Sequence, residues 1–214
     1  MKEMWQKFKE WCDSVDTILF RELGFNGGVS EKQLDEAQQE LGIVLPNDFR
    51  HCWQIHNGQK EWYHHGWIID GMGLLPIEHI KKRWLEEKRL AEKYGYEPEG
   101  EPQDEGRILD VVFHPKRIPI AEHEGACELW LDFAPGPRGT PGQIIFNITE
   151  CDFYVVGKDW SHFFSRYLKL LEEKKVICER HDKEWCFFSP DLLALQEAAP
   201  AYFKSHEELF GWIG

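Results

Sequence analysis

Apolar positions fall two apart in four places between Arg117 and Leu171: Ile118 with Ile120, Leu129 with Leu131, Ile144 with Phe146, and Phe153 with Val155. Side chains two apart share one face of a pleated strand, so the pattern predicts three or four short strands. Glu124-Gly125 and the Pro- and Gly-rich run from Ala134 to Gly142 supply turns between them. At Asp159 the period changes. Trp160, Phe163, Phe164, Tyr167, Leu168 and Leu171 trace one stripe of a helix, with Asp159 as its expected N-cap. An apolar sheet face beside an apolar helix stripe predicts a two-layer core.

Upstream, Trp5, Phe8, Cys12, Val15, Ile18 and Leu19 predict one helix to about Leu23, stopped by Gly24 and Asn26-Gly27-Gly28. Ser30 and Gln33 have capping-box spacing ahead of Leu34, Ala37 and Leu41, and Gly42 closes that helix. Pro46 opens the next, lined by Phe49, Trp53 and His56, and Asn57-Gly58 ends it. Trp67-Ile68-Ile69 reads as the core of a short strand, and Glu78 to Tyr94 as a charged helix. Residues 95–106 read as a mobile acidic loop, since Glu97, Glu99, Glu101, Asp104 and Glu105 share it without a base. The apolar run Ile108 to Phe113 predicts a further strand. Val176 to Phe188 has no single period. Beyond it, Ser189-Pro190 with Leu192, Leu193 and Leu195, and Ser205 with Glu208, predict helix.

The charge changes the picture more than the length. Twenty-five Lys and Arg against 38 Asp and Glu leave −13, a field that repels nucleic acid and anionic membrane and favours a basic protein partner. With 42% hydrophobic residues and ten Trp, the 214-residue chain is expected to fold without a metal or disulfide. The charged N-terminus lacks the apolar core of a secretory signal, and no run is long enough to span a bilayer. The expected location is therefore cytoplasmic, with Cys12, Cys52, Cys127, Cys151, Cys178 and Cys186 reduced and the sequon at Asn147 idle.

Candidate chemistry is sparse. His56, His64, His65 and Asp70 lack helical metal-ligand spacing, and Cys178, His181 and Cys186 lack a fourth ligand. The glycines of 134–142 are not followed by the Lys-Ser/Thr of a phosphate loop. Glu128 and Asp132 flank Trp130 on one strand face. They could form an acid/base pair, but the stronger expectation is a solvated strand face. No catalytic residue, cofactor or metal is assigned.

Two blocks resemble a known family. Leu41-Gly42, Leu45-Pro46, Phe49 and Asn57-Gly58 form the first, within Val29 to Gly58. Pro119-Ile120-Ala121, Leu131-Asp132, Pro135, Gly139, Gly142-Gln143 and then Trp160 form the second. In order and spacing they are similar to the SUKH superfamily, which holds fungal cell-wall-assembly regulators and many bacterial toxin-immunity proteins. The resemblance implies an α+β fold, with helices on one face of a largely antiparallel sheet. A SUKH-like domain is expected over 1–175; the tail 176–214 lies outside the resemblance and is expected from its own residues to be a helical extension packed on the same core. The resemblance also implies a binding protein without catalysis. The first expectation is an immunity protein that neutralises a basic toxin domain, the second a regulator or scaffold, and a hydrolase is a distant third. The expected contacts are Glu97, Glu99, Glu101, Asp104, Glu105, Glu128 and Asp132, with Trp62, Tyr63 and Trp67 as aromatic anchor.

Overall fold

The structure, a computed structural model, describes residues 1–61, 68–69, 72–98, 104–123, 127–148, 152–181 and 184–188. Its first half is helical. Helix α1 (Lys2–Val15) buries Trp5, Phe8 and Cys12. The single helix expected to reach Leu23 is broken at Asp16, whose backbone is extended and whose side chain accepts the Ile18 amide at 3.0 Å. Such a local turn competes with the helix ladder, and the chain resumes as the short α2 (Leu19–Glu22). Strand β1 (Phe25–Gly27) pairs antiparallel with β2 (His56–Gln59).

Between them lie α3 (Glu31–Leu41) and α4 (Asn47–Ile55). The capping box of α3 is present in full: Ser30 Oγ accepts the Gln33 amide at 3.3 Å, and Gln33 Oε1 accepts the Ser30 amide at 3.0 Å. Gly42 ends α3 with φ 68°. His56 starts β2 instead of ending α4. Gly58 also has positive φ, and a Cβ there would lie 2.5 Å from the Leu75 carbonyl carbon, so the close strand crossing requires glycine.

The main sheet is antiparallel, in the order β3 (Gly73–Leu74), β4 (Arg117–His123), β5 (Cys127–Asp132), β6 (Gln143–Ile148), β7 (Asp152–Gly157). Of the strand expected at Trp67-Ile68-Ile69, Trp67 lies outside the described residues and Ile69 makes an isolated bridge to Met72. Helix α5 (Ile77–Tyr94) lies against β4, and α6 (Trp160–Glu172) lies on β6 and β7, with α1 and α4 against α6. Asp159 caps α6 by accepting the His162 amide at 2.7 Å.

The core on the helical face joins Ile118, Ile120, Leu129, Leu131, Ile144 and Phe146 to the α1, α4 and α6 stripes. Trp53 and Trp160 stand at its centre, with ring centroids 5.2 Å apart. The opposite face carries a second, smaller core: Trp130, Ile145, Phe153 and Val155, roofed by Ile108. The strand expected over Ile108 to Phe113 is this roof. It forms no strand, and Ile108 makes an isolated bridge to Pro135.

Val176 to Phe188 resolves into a hairpin, β8 (Ile177–His181) with β9 (Glu184–Phe188), which sends Trp185 and Phe187 into the main core. The helices expected after Ser189 lie outside the described residues. Among the described residues no helix is long and apolar enough to cross a membrane.

Candidate functional site

A roof without regular structure needs another source of hydrogen bonds for its backbone. Arg117 supplies it. Its side chain is 1% exposed, and its guanidinium donates to the carbonyl of Leu109 at 2.9 Å and to that of Val111. The same guanidinium lies 4.9 Å from the Phe153 ring centroid and 3.6 Å from Asp132. Asp132 is fully buried and accepts the Ala134 amide and Gln143 Nε2, each at 3.0 Å. Burial pushes the Asp132 carboxyl up, opposed by the Arg117 charge. Trp84 of α5 fixes the far end of the roof by donating to the Pro115 carbonyl at 2.8 Å.

Where this pinned segment meets the C-terminal end of α5, a groove of about 420 Å³ opens. Tyr94, Glu97 and Pro98 line one side, and Asp110, Val112 and Phe113 the other. Tyr94 is 64% exposed and its ring centroid lies 6.3 Å from that of Phe113. Just beyond, Tyr96 meets His114 edge-on at 5.4 Å. Burial, with help from Arg117 and Lys116, lowers the His114 pKa to about 4. The imidazole therefore adds no positive charge at neutral pH. The groove thus offers aromatic surface between carboxylates.

The residues expected as partner contacts divide. Glu97 is exposed on the groove wall, and Glu105 is exposed outside its lining. Asp104 is a correction to the mobile loop: its side chain is 4% exposed, pairs with Arg107 at 3.0 Å and accepts the Val155 amide at 3.0 Å. Burial raises its pKa to about 6. Glu128 and Asp132 are corrected too. They do not sit on a solvated strand face, because the roof and α5 cover that face, and each carboxylate lies beside its own arginine. Glu99, Glu101, Trp62, Tyr63 and Trp67 lie outside the described residues, as do His64, His65 and Asp70.

His56 lies among the rings of Trp5, Phe20 and Phe25, and burial lowers its pKa. Cys178 and Cys186 are partly buried, and the side chain of His181 is outside the described set. Among the described residues no three His, Cys, Asp or Glu are placed to hold a metal ion.

Sequence reasoning missed Arg83. Glu122 and Glu128 stand directly opposite on β4 and β5, a like-charge pair that repels. Arg83 of α5 reaches between them, with Nε 2.7 Å from Glu122 and Nη2 2.6 Å from Glu128. It also pairs with Glu86 at 2.9 Å and Glu87 at 3.0 Å along its own helix. His79 adds a ring nitrogen 3.7 Å from Glu122. Four carboxylates thus share one guanidinium. Glu87 Oε2 and Asn147 Oδ1 are buried there without a donor. Burial, then the charge of Glu128, raises the Glu87 pKa to about 7. The only sequence signal was the i, i+3 and i, i+4 spacing of Arg83 to Glu86 and Glu87. The strand partners are tertiary.

Comparison with known proteins gives a family. The model of the SMI1 / KNR4 family (SUKH-1) matches residues 28–166. The "Cell wall biosynthesis/cell cycle regulator smi1" of Schizosaccharomyces pombe is 27% identical over 85% of this chain and 38% of its own length. The "Glucan synthesis regulatory protein" of Neurospora crassa is 27% identical over 84% of this chain and 40% of its own length. The "KNR4/SMI1 homolog" of Yarrowia lipolytica is 26% identical over 87% of this chain and 32% of its own length. The matched region is thus at most two fifths of each of these relatives.

Proposed function

The chain belongs to the SMI1/KNR4 (SUKH-1) family, and from that premise we propose that it is a regulatory, protein-binding domain acting on cell-wall glucan synthesis. The single observation that carries this reading is the kind of relative matched. Two relatives named for regulating cell-wall biosynthesis or glucan synthesis align over most of this chain. That favours the regulator over the toxin-neutralising role expected first. The geometry is compatible with binding. The two strand carboxylates considered for acid/base work, Glu128 and Asp132, hold the fold together through Arg83 and Arg117. The exposed acid-and-aromatic surface lies instead at the end of α5. On this reading the domain works in the cytoplasm and needs no cofactor.

Removing the chain from its own cell tests the proposal. Wall glucan content and tolerance of wall-digesting glucanase should both change, and return when the chain is restored. Unaltered wall composition and unaltered tolerance would refute it.

A further inference from the structure

Three properties meet at the groove between the end of α5 and the roof segment. The first is charge. Glu97 and Asp110 line it, with no Lys or Arg among the described lining residues. The last turn of α5 contributes the negative end of an 18-residue helix. The second is aromatic surface. Tyr94 and Tyr96 are among the few large hydrophobic side chains that the described residues leave exposed, at 64% and 43%; Tyr94 lies beside Phe113 in the groove and Tyr96 beside His114 just past it. The third is a cation already in place. The Lys93 ammonium lies 4.6 Å from the centroid of the Tyr94 ring and 2.9 Å from its hydroxyl, so this ring already receives a positive charge.

The floor is pre-formed. Arg117 holds the carbonyls of Leu109 and Val111 from beneath, and Trp84 ties Pro115 to α5. Little ordering entropy is therefore left to lose on docking.

We propose that this groove is the docking site for an extended segment of a partner protein that carries lysine or arginine between apolar residues. One basic side chain lies across Tyr94 in place of Lys93, with its charge towards Glu97, and an apolar neighbour packs on Phe113. The overall charge of −13 adds long-range attraction for the same partner. This rests on the regulatory protein-binding reading above and names the chemistry of its partner.

The test uses the whole chain and a short fluorescein-labelled peptide alternating arginine with leucine, read by fluorescence anisotropy. Saturable binding is expected, weakening as salt is added. Tyr94→Ala and Glu97→Lys should each weaken it about tenfold, while Glu10→Lys, the same charge change on α1, leaves it within about twofold. All three positions are exposed, and unchanged circular dichroism confirms the fold of each variant. Absence of saturable binding would overturn the proposal. So would equal binding of a peptide with glutamate in place of arginine, or equal loss from Glu10→Lys and Glu97→Lys. A dimer in gel filtration that Tyr94→Ala dissolves would assign the groove to a second copy instead. If the peptide fails while removal of the chain still alters wall glucan, the regulatory reading stands and this partner chemistry falls.

Discussion

Replacing Glu87 by Gln should stabilise the folded chain, and more so the higher the pH. Glu87 is 5% exposed, shares Arg83 with three other carboxylates, and leaves Oε2 without a donor. Its pKa is raised from an ordinary 4.5 to about 7 by burial and by Glu128. Between those values the folded chain holds a proton that the unfolded chain has released. Stability is therefore present at low pH and lost as pH rises through about 7. At roughly 1.4 kcal/mol per pH unit, the interval bounds the loss at about 3 kcal/mol.

Gln keeps an oxygen for Arg83, gains a donor where the orphan acceptor stood, and carries no charge. The stability difference between Glu87→Gln and the parent should grow by about 2 kcal/mol between pH 5 and pH 8. Taking that difference cancels the other titrating groups. Asp104 is raised to about 6 and adds in the same direction, while His114, lowered to about 4, acts in the opposite one. Urea titrations of both proteins at pH 5, 6, 7 and 8 give the profile. A constant difference across pH, or a variant less stable at pH 8, would refute the argument that Glu87 is held in a site short of one proton.

Arg117→Met leaves Asp132 buried without its cation and frees two roof carbonyls. Denaturant titration should show a loss of about 3 kcal/mol or more, against less than 1 if the pair is idle. Ser30→Ala removes one half of the capping box and should cost about 1 kcal/mol, measured the same way. Gly58→Ala forces a Cβ against the Leu75 carbonyl at positive φ and should cost at least about 2 kcal/mol, read as a lower thermal midpoint. Cys12 and Cys52 are buried, and burial pushes the Cys52 thiol up to about 12. In a thiol-reagent assay at pH 7 neither should react until denaturant is added.

Local devices were legible in the chain. The Ser30 box, the left-handed Gly42, the Asp159 cap and the α6 stripe all depend on residues within a few positions of one another, and all appear as read. Period two likewise found β4 to β7. What periodicity could not reveal was the lid on the second sheet face. Glu128 and Asp132 alternate with apolar neighbours as solvent-facing residues do. Only the tertiary position of residues 108–115 and of Arg83 turns that face inward. Ile108 to Phe113 misled for the same reason, since an apolar run can satisfy its backbone with an arginine instead of a neighbouring strand. The groove was half visible: Glu97 was singled out, but Tyr94 and Phe113 were read as parts of a helix and a strand. The hairpin at 177–188 could have been found from Trp185 and Phe187, two apart.

Asp104 has one more consequence. Among the described residues the main sheet ends at β7, and the outer edge of an end strand offers backbone donors and acceptors to any extended chain. By taking the Val155 amide on its carboxylate, Asp104 occupies one rung of that edge, and the Arg107 beside it sets a cation at the border. That contact makes this rung of the β7 edge less available to a second copy of the chain. A neutral, shorter residue at 104 should first show itself as aggregation on storage rather than as a lost activity.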